Sequence, residues 1–279
     1  LTASPEGRKW LAELPGIVSQ CVREWSLTEV GEPFPYAYAS LALPVVAQER
    51  APAVLKLQFP DRESRFEAAA LAAWDGEGAV RLFAHDEARA ALLIERCDPG
   101  TPLADLDLDT ALDVACELLP RLWKPAGQPF TPLADEARGW ADSLAETWKR
   151  TGRPYPRALL DSALDAIDSL SGSQPEAVLV NQDMHALNVL AAAREPWLVI
   201  DPKPLVGERA FGIAALVRGP ELGLGRASML RRFDRLTADL EIDRERARGW
   251  CIAQTLAWAV EDSGADDQMI AVARWLSNT

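Results

Sequence analysis

The segment Val180-Asn181-Gln182-Asp183-Met184-His185-Ala186-Leu187-Asn188, followed thirteen residues later by Asp201 in Val199-Ile200-Asp201-Pro202-Lys203-Pro204, constrains this chain more than any other. The apolar runs around it, Val178-Leu179-Val180, Val189-Leu190 and Trp197-Leu198-Val199-Ile200, read as short strands with Asp183, Asn188 and Asp201 at their ends. Asp and Asn at strand ends commonly do no more than shape turns. An acid, an amide five residues on and a second acid closing an apolar run have a more specific use. They supply a base for an attacking hydroxyl, Asp183, and two oxygen ligands for magnesium, Asn188 and Asp201. Phosphoryl transfer asks for little else in the way of covalent chemistry, because the work is mostly positioning and charge neutralisation.

Composition narrows the alternatives. The chain has 279 residues, 48% of them hydrophobic, which is enough to bury a sizeable core and predicts two closely associated lobes. It contains no apolar run of membrane-spanning length, and Leu1-Thr2-Ala3-Ser4-Pro5-Glu6 is not a basic region leading into an apolar one, so a cytoplasmic protein without a membrane partner is expected. Cys21, Cys97, Cys116 and Cys251 lack paired metal-ligand spacing and read as reduced core thiols. With His85 and His185 the only histidines, and with neither HExxH nor GxxxxGK[ST] present, zinc hydrolases and P-loop enzymes are excluded. A net charge of −13 argues against a nucleic-acid partner. It suits a cationic small molecule, although the same charge also serves solubility alone.

Along the chain, residues 5–25 read as two short helices broken at Pro15-Gly16. Strands are expected from Tyr36 to Val46, Ala53 to Phe59 and Ala79 to Ala84, and again over Ala90 to Glu95. Gly76 and Gly78 suggest a turn and not a phosphate cradle, since a strand follows them. Arg96-Cys97-Asp98-Pro99-Gly100-Thr101-Pro102 breaks regularity and divides the chain into 1–97 and 98–279. Beyond it, helices are expected at 107–122, 132–149, 157–170, 208–217, 226–239, 243–261 and 266–277.

Lys56 falls mid-strand between leucines, where a lysine is usually a solvated edge residue. Asp61 can cap a helix running to Trp74, and on that helix Glu67 shares a face with Leu71 and Trp74. Glu67 would then hold the Lys56 ammonium against nucleotide phosphates, since an unpaired buried lysine would cost several kcal/mol or lose its proton. Glu63, one turn earlier, is the competing partner, and Glu67 is preferred because Glu63 falls in the exposed first turn.

This order of features resembles the protein-kinase-like phosphotransferases, and more narrowly the aminoglycoside phosphotransferase superfamily and its streptomycin 6-kinase and hydroxyurea phosphotransferase group. The resemblance covers nearly the whole chain and is most specific at Glu95-Arg96-Cys97-Asp98-Pro99-Gly100-Thr101-Pro102 and Ile200-Asp201-Pro202-Lys203-Pro204-Leu205-Val206-Gly207. It implies an α+β, two-lobed fold with a small N-terminal antiparallel sheet and a larger, mainly helical C-terminal lobe. It implies an ATP-dependent kinase acting on a small-molecule hydroxyl, with magnesium, as a monomer in antibiotic resistance. GTP is the alternative donor. Asp183 would be the catalytic base, Asn188 and Asp201 the magnesium ligands, Lys56 the phosphate-contacting lysine paired with Glu67, and the backbone of Glu95 and Cys97 the adenine contacts.

The chain departs from that group's pattern in two places. Asn181 stands where the group usually has histidine, for which a structural effect is expected and not lost chemistry. The segment Pro35 to Leu43, expected to lie over the phosphates, has no glycine. His185 is expected to be a structural hydrogen-bonder, and Lys203 either a solvated charge or salt-bridge partner, or else a contact to phosphate or acceptor. Glu261 and Asp262 are the expected cationic-acceptor contacts, with Asp266 and Asp267 equally readable as helix-start acids. Streptomycin or a related aminoglycoside is the expected acceptor. The alternatives are hydroxyurea, an amino sugar or another small metabolite, or a nucleotide-binding protein with little transfer activity.

Overall fold

The computed structural model describes residues 2, 4–35, 39–47, 51–261 and 264–278, with backbone alone at Glu261. The chain forms two compact units, Leu1–Thr101 with Ala191–Ile200, and Pro102–Leu190 with Asp201–Thr279. The division thus falls a few residues after the expected one at Cys97, and a ten-residue excursion returns to the first unit.

In the first unit, α1 (Pro5–Glu24) precedes strands β1 (Ser40–Val46) and β2 (Pro52–Gln58), helix α2 (Glu67–Trp74), and strands β3 (Leu82–Asp86) and β4 (Ala91–Glu95). The four strands form an antiparallel sheet in the order β1-β2-β4-β3, so β2 is interior. Its alternation splits the side chains between two faces: Ala53, Leu55 and Leu57 pack with Trp10, Leu14 and Cys21 of α1, while Lys56 and Gln58 point the other way. The expected break at Pro15 does not occur, and α1 is one helix with Ser4 as its N-cap. Pro15 removes one backbone hydrogen bond at a cost of roughly 3 kcal/mol. Its partner carbonyl would be that of Leu11, an exposed residue, and the apolar stripe packed on the sheet outweighs the loss. The strand expected from Tyr36 begins at Ser40, and Tyr36, Ala37 and Tyr38 lie outside the described residues.

The second unit is mainly helical: α3 (Leu108–Leu122), a short β5 (Thr131–Pro132), α4 (Leu133–Arg150) and α5 (Arg157–Ser171) come first. Strands β6 (Val178–Asn181) and β7 (Val189–Ala191) follow, then β8 (Trp197–Val199), which lies in the excursion that belongs to the first unit, and β9 (Pro204–Gly207). The chain ends with α6 (Ala214–Arg218), α7 (Arg226–Asp239), α8 (Arg244–Trp258), the ribbon β10 (Val260–Glu261) and β11 (Gly264–Ala265), and α9 (Asp267–Ser277). The helix expected at 208–217 is only the short α6, after a 3-10 turn at Arg209–Phe211, and α8 stops at Trp258.

A three-stranded sheet, β5-β9-β6, organises this unit. In its antiparallel half Val178 faces Gly207 and Asn181 faces Pro204, which sets the loop after β6 beside the segment before β9. Gly207 is needed where β9 meets α4, since a Cβ there would lie 2.6 Å from Leu133 Cβ. Glu208 then anchors α8 from below. Its buried carboxylate accepts from Arg246 Nε and Nη2, both at 2.6 Å, and from Trp250 Nε1 at 2.7 Å.

Removing this buried carboxylate leaves the buried Trp250 Nε1 without its acceptor and Arg246 without its ion pair. Glu208→Ala is expected to lower unfolding free energy by about 3 kcal/mol in chemical denaturation, and an unchanged midpoint would contradict the anchoring role.

Candidate active site

Strand β2 delivers Lys56 to the middle of the first unit's sheet, opposite Ala42 and Leu92 in register. It is not a solvated edge residue: its side chain is 7% exposed, and its ammonium donates to Glu67 Oε2 at 2.6 Å. Gln58, two residues on and on the same face, donates to the same oxygen at 2.5 Å. Asp61 caps the turn before α2 by accepting from Ser64 N, and α2 itself starts at Glu67. The structure therefore pairs Lys56 with Glu67 as the sequence reading preferred, and adds Gln58, which that reading missed.

At the end of β4, Glu95 has its carboxylate engaged by Arg194. Arg194 Nε lies 2.9 Å from Oε1, and Nη2 lies 2.8 Å from Oε2, which also accepts from Arg81 N at 3.0 Å. Arg194 further donates to the carbonyls of Gly76 and Ala79, so the Gly76–Gly78 turn is held as part of this clamp. Cys97 follows on irregular chain. Burial pushes its thiol up to about 12, and pushes Cys251 to about 12 and Cys116 to about 11.

In the second unit, the loop after β6 is built around one amide. Asn181 Oδ1 accepts from Asp183 N at 3.0 Å and from Lys203 N at 3.0 Å, and Gln182 N donates to Lys203 O at 3.0 Å. A carbonyl oxygen has two lone pairs for this task, whereas a neutral histidine has one acceptor nitrogen. Asn188, on a 3-10 turn, donates its amide nitrogen to Asp183 O at 3.0 Å, which leaves its amide oxygen as the hard donor. Asp201 follows β8 in the left-handed region at φ 51°, a conformation Asp tolerates better than most residues.

Asp183 carries cations on both carboxylate oxygens. Lys203 Nζ lies 3.1 Å from Oδ2, and Arg218 Nη2 lies 3.4 Å from Oδ1. Arg218 is buried, donates to Gln254 Oε1 at 2.7 Å and sits 4.4 Å from the centre of the Trp258 ring, while Gln254 Nε2 donates to Gln182 O at 2.9 Å. Sequence reasoning missed Arg218 and Gln254. The available signal for Arg218 was a lone arginine closing an apolar run, Ala214-Ala215-Leu216-Val217.

A cavity of about 220 Å³ opens beside Asp183, lined also by His185, Arg218, Glu221, Trp258 and Asp266. His185 is not hydrogen-bonded through its ring among the described residues. Its Nδ1 lies 3.5 Å from Glu221 Oε1 and its Nε2 lies 3.9 Å from Asp183 Oδ1, so it forms part of the cavity wall. Asp266 caps α9 by accepting from Gln268 N and Met269 N. The loop carrying Glu221 is held by Arg232, whose buried guanidinium donates to the carbonyls of Val217, Leu222 and Gly223 and is pushed down to about 10 by desolvation. A larger, open hollow of about 730 Å³ runs along α7, but its charged residues Arg231, Asp234 and Arg235 are paired with Asp109, Arg244 and Asp113. Of the expected acceptor contacts, Glu261 ends β10 and Asp262 lies outside the described residues.

Residues 24–265 match the family described as aminoglycoside/hydroxyurea antibiotic resistance kinase. The chain belongs to that family. A streptomycin 6-kinase of Streptomyces griseus is 39% identical over 98% of this chain and 92% of its own length. A hydroxyurea phosphotransferase of Kitasatospora aureofaciens is 38% identical over 97% and 81%. Among solved structures, aminoglycoside phosphotransferase APH(4)-Ia has a TM-score of 0.62 at 16% identity, covering 94% of this chain and 99% of that one. Choline kinase LicA from Streptococcus pneumoniae has 0.65 at 12%, covering 96% and 100%. At such identities the structures speak for the fold, which is protein-kinase-like.

Two outcomes test these local readings of the kinase. Asn181→Ala removes the acceptor of two backbone N–H groups at a cost of about 1–3 kcal/mol for each buried group left unmade. It is expected to lower turnover by at least about tenfold as Asp183 and Lys203 lose their register; unaltered turnover would show that the amide is dispensable. The thiols of Cys97, Cys116 and Cys251, raised by burial, stay protonated at pH 8. Ellman's reagent should therefore react slowly with the folded protein and fast with all four cysteines after denaturation.

Proposed function

We propose that this family member moves the γ-phosphoryl group of ATP onto a hydroxyl of a cationic small molecule, an aminoglycoside of the streptomycin type. The observation that carries this reading is the placement of Asp183 in the wall of a cavity that also presents the Glu221 and Asp266 carboxylates. Carboxylates in a partly enclosed hollow bind guanidinium or ammonium groups through charge-assisted hydrogen bonds. A hydroxyl on the same molecule would then face Asp183, which lines the hollow.

Asp183 takes the hydroxyl proton as the acceptor oxygen bonds to the γ-phosphorus. The bond from that phosphorus to the β,γ-bridging oxygen breaks, and its electron pair leaves with ADP. Asn188 and Asp201 are the residues that would hold magnesium, and their donors fit it: one neutral amide oxygen and one carboxylate. Among the described residues no cluster of three or more His, Cys, Asp or Glu suits a metal, so phosphate oxygens and water would complete the shell. When bound, magnesium supplies charge neutralisation across the phosphates. Lys56, steadied by Glu67, would contact those phosphates, and the main chain at Glu95 and Cys97 would meet the base. Because the Glu95 carboxylate is engaged by Arg194, the reading of adenine falls to backbone groups.

No helix among the described residues is long and apolar enough to cross a membrane. A monomer acting in the cytoplasm completes the proposal: phosphorylation there adds bulk and negative charge to a drug whose target expects neither.

The test is an ATP-consumption assay against streptomycin, other aminoglycosides, amino sugars and hydroxyurea, with product mass measured. Streptomycin should gain one phosphate. Asp183→Asn is expected to lower kcat by about 10²–10⁴-fold, with Mg·ADP binding retained. Glu221→Gln is expected to raise KM about tenfold for streptomycin, through loss of a charge-assisted bond, and to leave KM for uncharged hydroxyurea unchanged. Turnover of hydroxyurea alone would overturn the acceptor assignment and leave the kinase chemistry standing.

A further inference from the structure

The two cations at Asp183 differ in a way that points to different tasks. Arg218 is held in place: its side chain is 5% exposed, it is hydrogen-bonded to Gln254, and it lines the cavity on the Oδ1 side, where His185 also lies. Lys203 approaches the opposite oxygen, Oδ2, is 29% exposed, and does not line the cavity. Its ammonium also rests 5.1 Å from the centre of the Trp258 ring, so an aromatic face adds to the hold of Asp183. Its backbone is pinned by Asn181 Oδ1 and by Gln182 N. The result is a long, partly exposed side chain on a registered stem, reaching the carboxylate oxygen that Arg218 does not engage.

Sequence position adds direction. Lys203 follows Asp201 by two residues, which puts it on the same short segment as a residue that would hold magnesium, and an ammonium there would suit phosphate oxygens.

We propose that Lys203 is a catalytic residue that moves from Asp183 to the transferring phosphoryl group during turnover. This rests on the reading of Asp183 as base and Asp201 as metal ligand. In the resting state the Lys203 ammonium orients the Asp183 carboxylate. As the acceptor oxygen bonds to the γ-phosphorus and the bond to the β,γ-bridging oxygen breaks, Asp183 receives the acceptor proton and its pull on the ammonium ends. Negative charge spreads over the three equatorial phosphoryl oxygens at the same moment, and the ammonium meets it there. Arg218 stays behind and keeps the carboxylate aimed at the hollow.

The experiment compares wild type with Lys203→Met and Lys203→Arg, by steady-state kinetics and by calorimetric titration with Mg·ADP, alone and with aluminium fluoride. A group acting on the transition state is expected to show as a loss of kcat of at least about a hundredfold, with both KM values within about threefold. Lys203→Met should bind Mg·ADP within about threefold of wild type but the aluminium fluoride complex at least about thirtyfold more weakly, and Lys203→Arg should recover part of both losses. A Lys203→Met enzyme that keeps wild-type kcat, or that loses Mg·ADP and the fluoride complex equally, overturns the assignment while leaving the kinase intact. A wild type that neither transfers phosphate nor forms the fluoride complex overturns this inference and the proposed function together.

Discussion

One carboxamide oxygen holds the second unit's chemistry in register. Asn181 Oδ1 accepts the N–H of Asp183 on its own loop and the N–H of Lys203 on the segment before β9. These two loops are brought side by side by the antiparallel pairing of β6 with β9, where Asn181 faces Pro204. Sheet register alone places backbones and leaves loops free to drift. The shared acceptor removes that freedom, and the Asp183 carboxylate, the Lys203 ammonium and the chain leaving Asp201 inherit a common frame.

The chain between Asn188 and Asp201 is anchored differently. Ala191–Ile200 belongs to the first unit, where Val80 N donates to Val199 O and Arg194 engages Glu95, Gly76 and Ala79. Electrostatics follows the same economy. In a chain of net charge −13, buried charges are met by specific partners: the Lys56 ammonium by Glu67, the Glu208 carboxylate by Arg246, and the Arg232 guanidinium by backbone carbonyls.

How far the sequence could be read depended on whether a residue's partner was near in the chain or carried a recognisable spacing. Asp183, Asn188 and Asp201 stood out because apolar strands frame them, and the Lys56–Glu67 pair because one helix face left a carboxylate toward a strand lysine. The continuity of α1 through Pro15 was not legible, since it depends on a sheet whose strands come later in the chain. Arg218, Gln254 and Glu221 were not legible either. Each is ordinary in its own segment and gains meaning only when α6, α8 and the loop held by Arg232 surround the same hollow. Arg194 belongs to the same class: its partner Glu95 is 99 residues away.

The most direct measurement is a crystal structure of the protein with a non-hydrolysable ATP analogue, manganese in place of magnesium, and streptomycin. The account predicts anomalous density bound by Asn188 and Asp201, with one acceptor hydroxyl about 3 Å from an Asp183 carboxylate oxygen and a guanidinium against Glu221. An acceptor seated away from the hollow, or a metal held without Asn188 and Asp201, would contradict it.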